Sequence, residues 1–189
     1  MGKKGNLNGR FLCLQAIVVM TSCVGNSFIT PILQRFGYEP FQIGVTMTCA
    51  AITAAVAKPL WGYLNDRFAC AKQLAVAGTA LGCAAYALLV YSGGQRVLTA
   101  LAAMLLYLTF LCIMGLIDSW AVRLISDGWT LNYAITRAGG SLSYAFMAAG
   151  FGVVMADFGP KPGLPVLCIL LVLLVVTVWS LPNPKRTVS

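Results

Sequence analysis

The stretch Val97–Val122, VLTALAAMLLYLTFLCIMGLIDSWAV, decides the fold class of this chain, and Asp118 is its one charged residue. A helix needs about 20 predominantly apolar residues to cross a hydrocarbon core of about 30 Å. Backbone groups in lipid must bond within their own segment, so a run of this length is predicted to be a transmembrane helix. A transmembrane β-barrel would require alternating polar residues, which the stretch lacks.

Comparable apolar runs flank this stretch on both sides and predict an all-α membrane protein with six transmembrane helices. Of the 189 residues, 59% are hydrophobic and only 10% are charged, whereas about a quarter are charged in ordinary soluble domains. The lipid bilayer is therefore the first predicted partner. The predicted helices are residues 11–33, 41–64, 74–91, 97–122, 133–155 and 164–181, and residues 182–189 are predicted to form a cytoplasmic tail.

The basic residues predict that both termini are cytoplasmic, because Lys and Arg concentrate on the cytoplasmic side of membrane proteins. Residues 1–25 also resemble a cleavable signal peptide, but the apolar run continues to Ile32, which favours a retained first helix. With a cytoplasmic N-terminus, eight basic residues lie inside, namely Lys3, Lys4, Arg10, Arg67, Lys72, Arg123, Lys185 and Arg186, and three lie outside, namely Arg35, Arg96 and Lys161.

Composition argues against several other classes of protein. The net charge of +8 comes from residues at the ends of apolar runs, which disfavours nucleic acid as a partner. The chain has no histidine, and its seven cysteines include no C-x-x-C pair, so neither a metal site nor a disulfide framework is expected. With no nucleophile–base pair either, we expect no enzyme activity and no cofactor.

A polar motif, Gly62-Tyr63-Leu64-Asn65-Asp66-Arg67, stands at the inner end of the second predicted helix. It resembles the loop motif of the major facilitator superfamily, G-x-x-x-D-R/K followed by small and basic residues. The resemblance implies a cytoplasmic gating loop whose Asp caps a neighbouring helix, where a carboxylate meets a partial positive charge. The alternative is an ordinary solvated turn. The residues assigned to the gating loop are Gly62, Asp66, Arg67 and Lys72.

Two ionisable residues lie within predicted helices, Asp118 in the fourth and Arg137 near the start of the fifth. A charge inside a membrane helix costs several kcal/mol unless it is paired or hydrated. The two helices are antiparallel neighbours across one short connection, so both charges can lie at a similar depth. A bidentate carboxylate–guanidinium pair is therefore predicted.

This arrangement resembles lactose permease and the related oligosaccharide- and nucleoside-proton symporters, in which an acid on helix four faces an arginine on helix five. Arg137, Gly140 and Tyr144 stand in the matching places. The resemblance implies that Asp118 and Arg137 contact a small polar solute and that transport is coupled to protons. The alternative is an ion pair that only locks the two helices together.

Further polar or aromatic residues are candidates for the same cavity. Asn26 either lines the cavity or joins helices, and Trp120 and Tyr144 offer surfaces on which a sugar or nucleoside ring can stack. Lys58, one turn before Gly62, either extends towards the cytoplasmic interface or serves as a cavity charge for an anionic substrate or a coupling carboxylate.

The resemblance covers the chain as the N-terminal six-helix half of a twelve-helix fold, and residues 182–189 are then the start of the linker between halves. Such transporters bind solute between two halves near the membrane midplane. The expected function is secondary active transport by alternating access across the plasma membrane. The expected partners are the solute, protons and a second six-helix half in the same chain, a separate chain or a homodimer.

Three alternatives stay open from the sequence. The chain could export a drug or metabolite by the same mechanism. It could instead be a non-transporting remnant, or a protein that interacts with other membrane proteins. A channel is disfavoured, because the sequence has neither a pore-loop motif nor rings of like charge.

Overall fold

The computed structural model describes residues 4–68 and 70–182, without the side chains of Lys4, Asp66 and Phe68. Lys3, Lys185 and Arg186, which contributed to the predicted orientation, and most of the predicted tail lie outside this part. The described elements are β1 (Lys4–Asn6), α1 (Asn8–Ser22), a π-helix (Cys23–Ser27), α2 (Ile29–Arg35), α3 (Pro40–Phe68), α4 (Ala71–Tyr91), α5 (Arg96–Ser126), β2 (Trp129–Thr130), α6 (Tyr133–Phe158) and α7 (Gly163–Trp179).

The helices form an all-α membrane fold, as the composition predicts. Five segments are long and apolar enough to cross a bilayer, and α7 is a shorter apolar helix of 17 residues. At 1.5 Å per residue, α7 is about 25 Å long. The five longer segments are Asn8–Arg35, which comprises α1, the π-helix and α2, followed by Pro40–Asn65, Ala71–Tyr91, Arg96–Ser126 and Tyr133–Phe158.

Several helices extend beyond the predicted apolar runs, because a helix ends where a cap or a turn ends it. The side chain of Asn132 accepts a hydrogen bond from the Ile135 amide at 3.2 Å and so caps the start of α6. Gly159 follows α6 with a φ of 74°, which a residue without a Cβ adopts readily. Hydropathy alone cannot locate such ends.

The first membrane segment is not one continuous α-helix. Its middle, Cys23–Ser27, is a π-helix, and α2 begins at Ile29. Pro31 explains the interruption, because proline has no N–H group to donate to the carbonyl of Ser27 four residues earlier. The widened turn places Asn26 and Ser27 at the junction of two helical pieces, a position where functional side chains are frequent.

The centre of the bundle is built around Phe110 of α5, which is 2% exposed. A Cβ added to Gly25 of the π-helix would lie 2.1 Å from the Phe110 ring, and one added to Gly82 of α4 would lie 2.5 Å from it. The ring therefore fits between two glycines. Small residues allow such close approach where packing, rather than water exclusion, holds membrane helices together.

Helices α3 and α6 contribute least to this core. Only 11% of the apolar window of α6 and 28% of that of α3 is buried, compared with 50% for both α4 and α5. Large apolar side chains on these helices point outward. In a membrane, lipid or further helices cover such faces. The exposed residues include Phe41, Ile52 and Val56 on α3 and Leu142, Phe146 and Val153 on α6.

Polar contacts at both ends hold α6 against the rest of the bundle. At one end, β1 pairs in parallel with β2, and the backbone N–H of Asn132 donates to Oδ1 of Asn8 at 2.7 Å. At the other end, Arg35 donates to the carbonyls of Met155 and Ala156, both at 2.8 Å. These carbonyls belong to the last turn of α6, where a cation also complements the helix dipole.

Replacing Arg35 with Gln is expected to lower the free energy of unfolding by about 1–2 kcal/mol, because two charge-assisted hydrogen bonds to the end of α6 are lost. Thermal unfolding of the detergent-purified chain measures the change. The matched control is Arg96→Gln, since Arg96 is exposed and its side chain forms no hydrogen bond with residues 4–68 and 70–182. Equal melting temperatures for the two variants would contradict the prediction.

Candidate functional site

The ion pair between Asp118 of α5 and Arg137 of α6 is the centre of the candidate site. Nη1 of Arg137 lies 3.2 Å from Oδ1 and 3.4 Å from Oδ2 of Asp118. The pair thus forms through one nitrogen, whereas the sequence predicted a fork with two. The side chains of Arg137 and Asp118 remain 41% and 32% exposed, so both have room for another partner.

A cavity of 220 Å³ adjoins Arg137 between α1, α5 and α6. Arg137, Ser141 and Tyr144 follow the helical spacing i, i+4 and i+7, so they share one face of α6. The Tyr144 hydroxyl forms a 2.7 Å hydrogen bond with the Ser27 hydroxyl, which fixes the tyrosine against the π-helix. Val19 and Met114 supply apolar walls. The cavity therefore combines a cation, two hydroxyl groups and apolar surface.

Gly140 allows α6 to approach α1 closely beside this cavity. A Cβ at Gly140 would lie 2.9 Å from Cγ of Gln15, which is 1% exposed. Both polar atoms of the Gln15 amide are buried and have no hydrogen-bond partner within residues 4–68 and 70–182. Buried amides are normally satisfied by protein or by water, so Gln15 is an unusual residue next to the site.

Two other predicted cavity residues do not line this 220 Å³ cavity. Asn26 lies in the π-helix, donates to Ser22 Oγ at 3.4 Å, and has a buried Oδ1 without a partner in the described part of the chain. Trp120 is fully buried and meets the Phe11 ring edge-on at 6.5 Å. Residues two apart on a helix point about 200° away from each other, so Trp120 and Asp118 lie on opposite sides of α5.

The predicted gating-loop residues lie on helices on either side of a very short connection. Gly62 and Arg67 belong to α3, and Lys72 lies in the first turn of α4. Arg67 donates to the Tyr63 hydroxyl, and Lys72 donates to the Leu181 carbonyl at 2.6 Å. The Asp66 side chain lies outside the described residues. Lys72 thus ties the start of α4 to the residues that follow α7.

Some residues of these cavities were missed from the sequence. Ser141 is one turn beyond Arg137, so helical spacing from the charged residue would have found it. Val19 and Met114 carry no sequence signal, because apolar residues are everywhere in this chain.

Lys58 borders a second cavity, between α3 and α5. No group of three His, Cys, Asp or Glu side chains with metal-binding geometry occurs among residues 4–68 and 70–182.

Comparison with known proteins gives one match. The model of a family described as the MFS_1 like family matches residues 19–187. No curated protein and no solved structure matches the chain. The matched region includes the ion pair, the π-helix and all the transmembrane helices from the middle of the first onward. The chain therefore belongs to the MFS_1 like family, a major facilitator superfamily relation that indicates a transporter-type membrane protein rather than an enzyme.

Proposed function

We propose that the chain is half of a secondary active transporter that moves a small polar organic solute by alternating access, coupled to protons. The observation that carries the proposal is the Asp118–Arg137 pair, which lies beside a cavity and is only partly buried. Intramembrane charges are expensive and usually serve function. A purely structural pair would satisfy both groups more fully, for example through two guanidinium nitrogens.

In this proposal each site residue has a distinct role. Arg137 and Asp118 contact polar groups of the solute, and Tyr144 and Asn26 border its path. In the gating loop, Lys72 holds the start of α4 against the residues that follow α7 while the helices rock, and Arg67 stays at the end of α3. A second six-helix half covers the exposed faces of α3 and α6, and it comes from the same chain, a separate chain or an identical copy. Both termini face the cytoplasm, and the membrane is the plasma membrane.

Uptake into proteoliposomes with an imposed inward proton gradient tests this function. A disaccharide, a nucleoside and an aromatic carboxylate serve as labelled probes. We expect uptake of at least one probe that falls to background in Arg137→Gln and when an uncoupler collapses the gradient. Lys161→Gln, at an exposed turn residue, is the matched control. Normal uptake by Arg137→Gln would contradict the solute-binding role of Arg137. Uptake that is unchanged by the uncoupler would contradict proton coupling.

A further inference from the structure

A second polar cavity, of 300 Å³, lies between α3 and α5. On each helix the lining residues follow spacings of three or four, so each helix contributes a single face. The cavity is therefore a groove along two facing helices, called here the α3–α5 groove. Its lining is Lys58, Trp61, Gly62 and Asn65 from α3, with Cys112, Gly115, Leu116, Ser119 and Arg123 from α5.

Lys58 places a positive charge in this groove. It lies within the candidate span Pro40–Asn65, seven residues before its end, which is about 10 Å along a helix. The side chain is exposed to the groove and forms no hydrogen bond or ion pair with any residue of 4–68 and 70–182. Asp118 is already paired with Arg137 at 3.2 Å. An unpaired ammonium within a membrane span is costly, so an anionic partner at Lys58 would be stabilising.

Asn65 supplies a neutral hydrogen-bond donor in the same groove. Its side chain is 3% exposed, lines the cavity, and forms no hydrogen bond within the described part of the chain. Its amide is therefore available to a molecule in the cavity. The Ser119 hydroxyl, by contrast, already donates to the Gly115 carbonyl at 2.9 Å. Asn65 and Lys58 are therefore two donors of the groove that have no acceptor within the described residues.

Two glycines keep the groove open. A Cβ added at Gly62 or at Gly115 would meet no heavy atom within 4 Å. The glycines therefore border free space rather than tight helix contacts, in contrast to Gly25 and Gly82 around Phe110. The groove has a volume of 300 Å³, which is at the lower end of the range of about 300–1,000 Å³ for small-molecule sites.

We propose that the α3–α5 groove binds a carboxylate or phosphate group, with the Lys58 ammonium as its counter-charge and the Asn65 amide as a second donor. The inference rests on the proposed function in one respect, because it assigns the anionic group to the transported solute, which is then an organic anion. A phospholipid headgroup offers the same chemistry, so the experiment separates the two sources.

Fluorescence of Trp61, which lines the groove, reports binding without any need for transport. The full chain in nanodiscs of phosphatidylcholine is titrated with benzoate and with inorganic phosphate at constant ionic strength, and Trp61→Phe identifies the signal. We expect a saturable change that Lys58→Gln weakens about tenfold or more, as loss of a charge-assisted contact requires. Lys58→Arg retains binding, and the matched control Lys161→Gln leaves it unchanged.

A second variant tests the groove itself while keeping the charge. Gly115→Leu fills the open space next to Lys58, and we expect it to weaken binding as strongly as Lys58→Gln. Absence of a saturable signal in the native chain, or equal affinity in Lys58→Gln, would overturn the proposal. A response seen only in phosphatidylglycerol nanodiscs would overturn the assignment to a solute. Since the assay measures binding alone, loss of uptake in the transport experiment would leave its outcome unaffected.

Discussion

Gly25→Leu is expected to prevent the bundle from folding, because the new side chain would occupy the volume of the Phe110 ring. The ring already lies where a Cβ at Gly25 would be, at 2.1 Å, and Gly82 blocks its retreat on the other side, at 2.5 Å. Overpacking usually costs about 1–3 kcal/mol. Here an aromatic ring enclosed on two sides leaves little room for adjustment, so we expect a cost at or above the top of that range.

The measurement is the yield of monodisperse protein after detergent extraction, followed by its melting temperature. Gly150→Leu is the matched control, because a Cβ at Gly150 meets no heavy atom within 4 Å. The complementary variant Phe110→Ala leaves a cavity and is expected to cost about 3–5 kcal/mol. Native-like yield and melting temperature for Gly25→Leu would show that the ring does not hold α4, α5 and the π-helix together.

Exchanging the two charges of the candidate site, Asp118→Arg with Arg137→Asp, is expected to restore stability without restoring uptake. Each single change leaves two like charges facing each other within the membrane. Losing a partner from a fully buried pair costs about 3–5 kcal/mol. The cost here is smaller, because the side chains of Arg137 and Asp118 are 41% and 32% exposed and therefore partly screened.

The double variant restores a pair of opposite charges, but the positive charge is now on α5 and the negative charge is on α6. A solute that binds the native guanidinium and carboxylate would then meet each charge from the wrong helix. Melting temperatures of the single and double variants measure the pairing, and proteoliposome uptake measures the function. Full uptake by the double variant would mean that the pair has only a structural role.

Much of the fold could be predicted from local sequence. Val97–Val122 alone indicates a membrane helix, since a run of this length with a single charged residue fits no soluble helix surface. The pairing of Asp118 with Arg137 was equally accessible, because one short connection lets the two charges lie at a similar depth, although α6 packs mainly against α1 rather than against α5. Both inferences depend on residues close in the chain, where helical geometry fixes the relative positions.

What could not be predicted depends on contacts between distant residues. The π-helix follows from Pro31, but the fit of Phe110 between Gly25 and Gly82 requires three helices to be placed first. The Trp120 ring was predicted to face the cavity, yet the orientation of α5 that lets Asp118 reach Arg137 turns the indole towards Phe11. The α3–α5 groove likewise appears only when two helix faces meet, so Asn65 and Ser119 gave no signal alone.

The interrupted first segment has a mechanical consequence. A continuous α-helix resists bending along its whole length. A segment of two α-helices joined by a π-helix can bend mainly at the π-helical residues. The π-helix Cys23–Ser27 carries the Ser27–Tyr144 hydrogen bond, and α2 is bonded to the last turn of α6 through Arg35. A tilt of α6 would therefore pull on Ile29–Arg35 and bend the first segment at Cys23–Ser27.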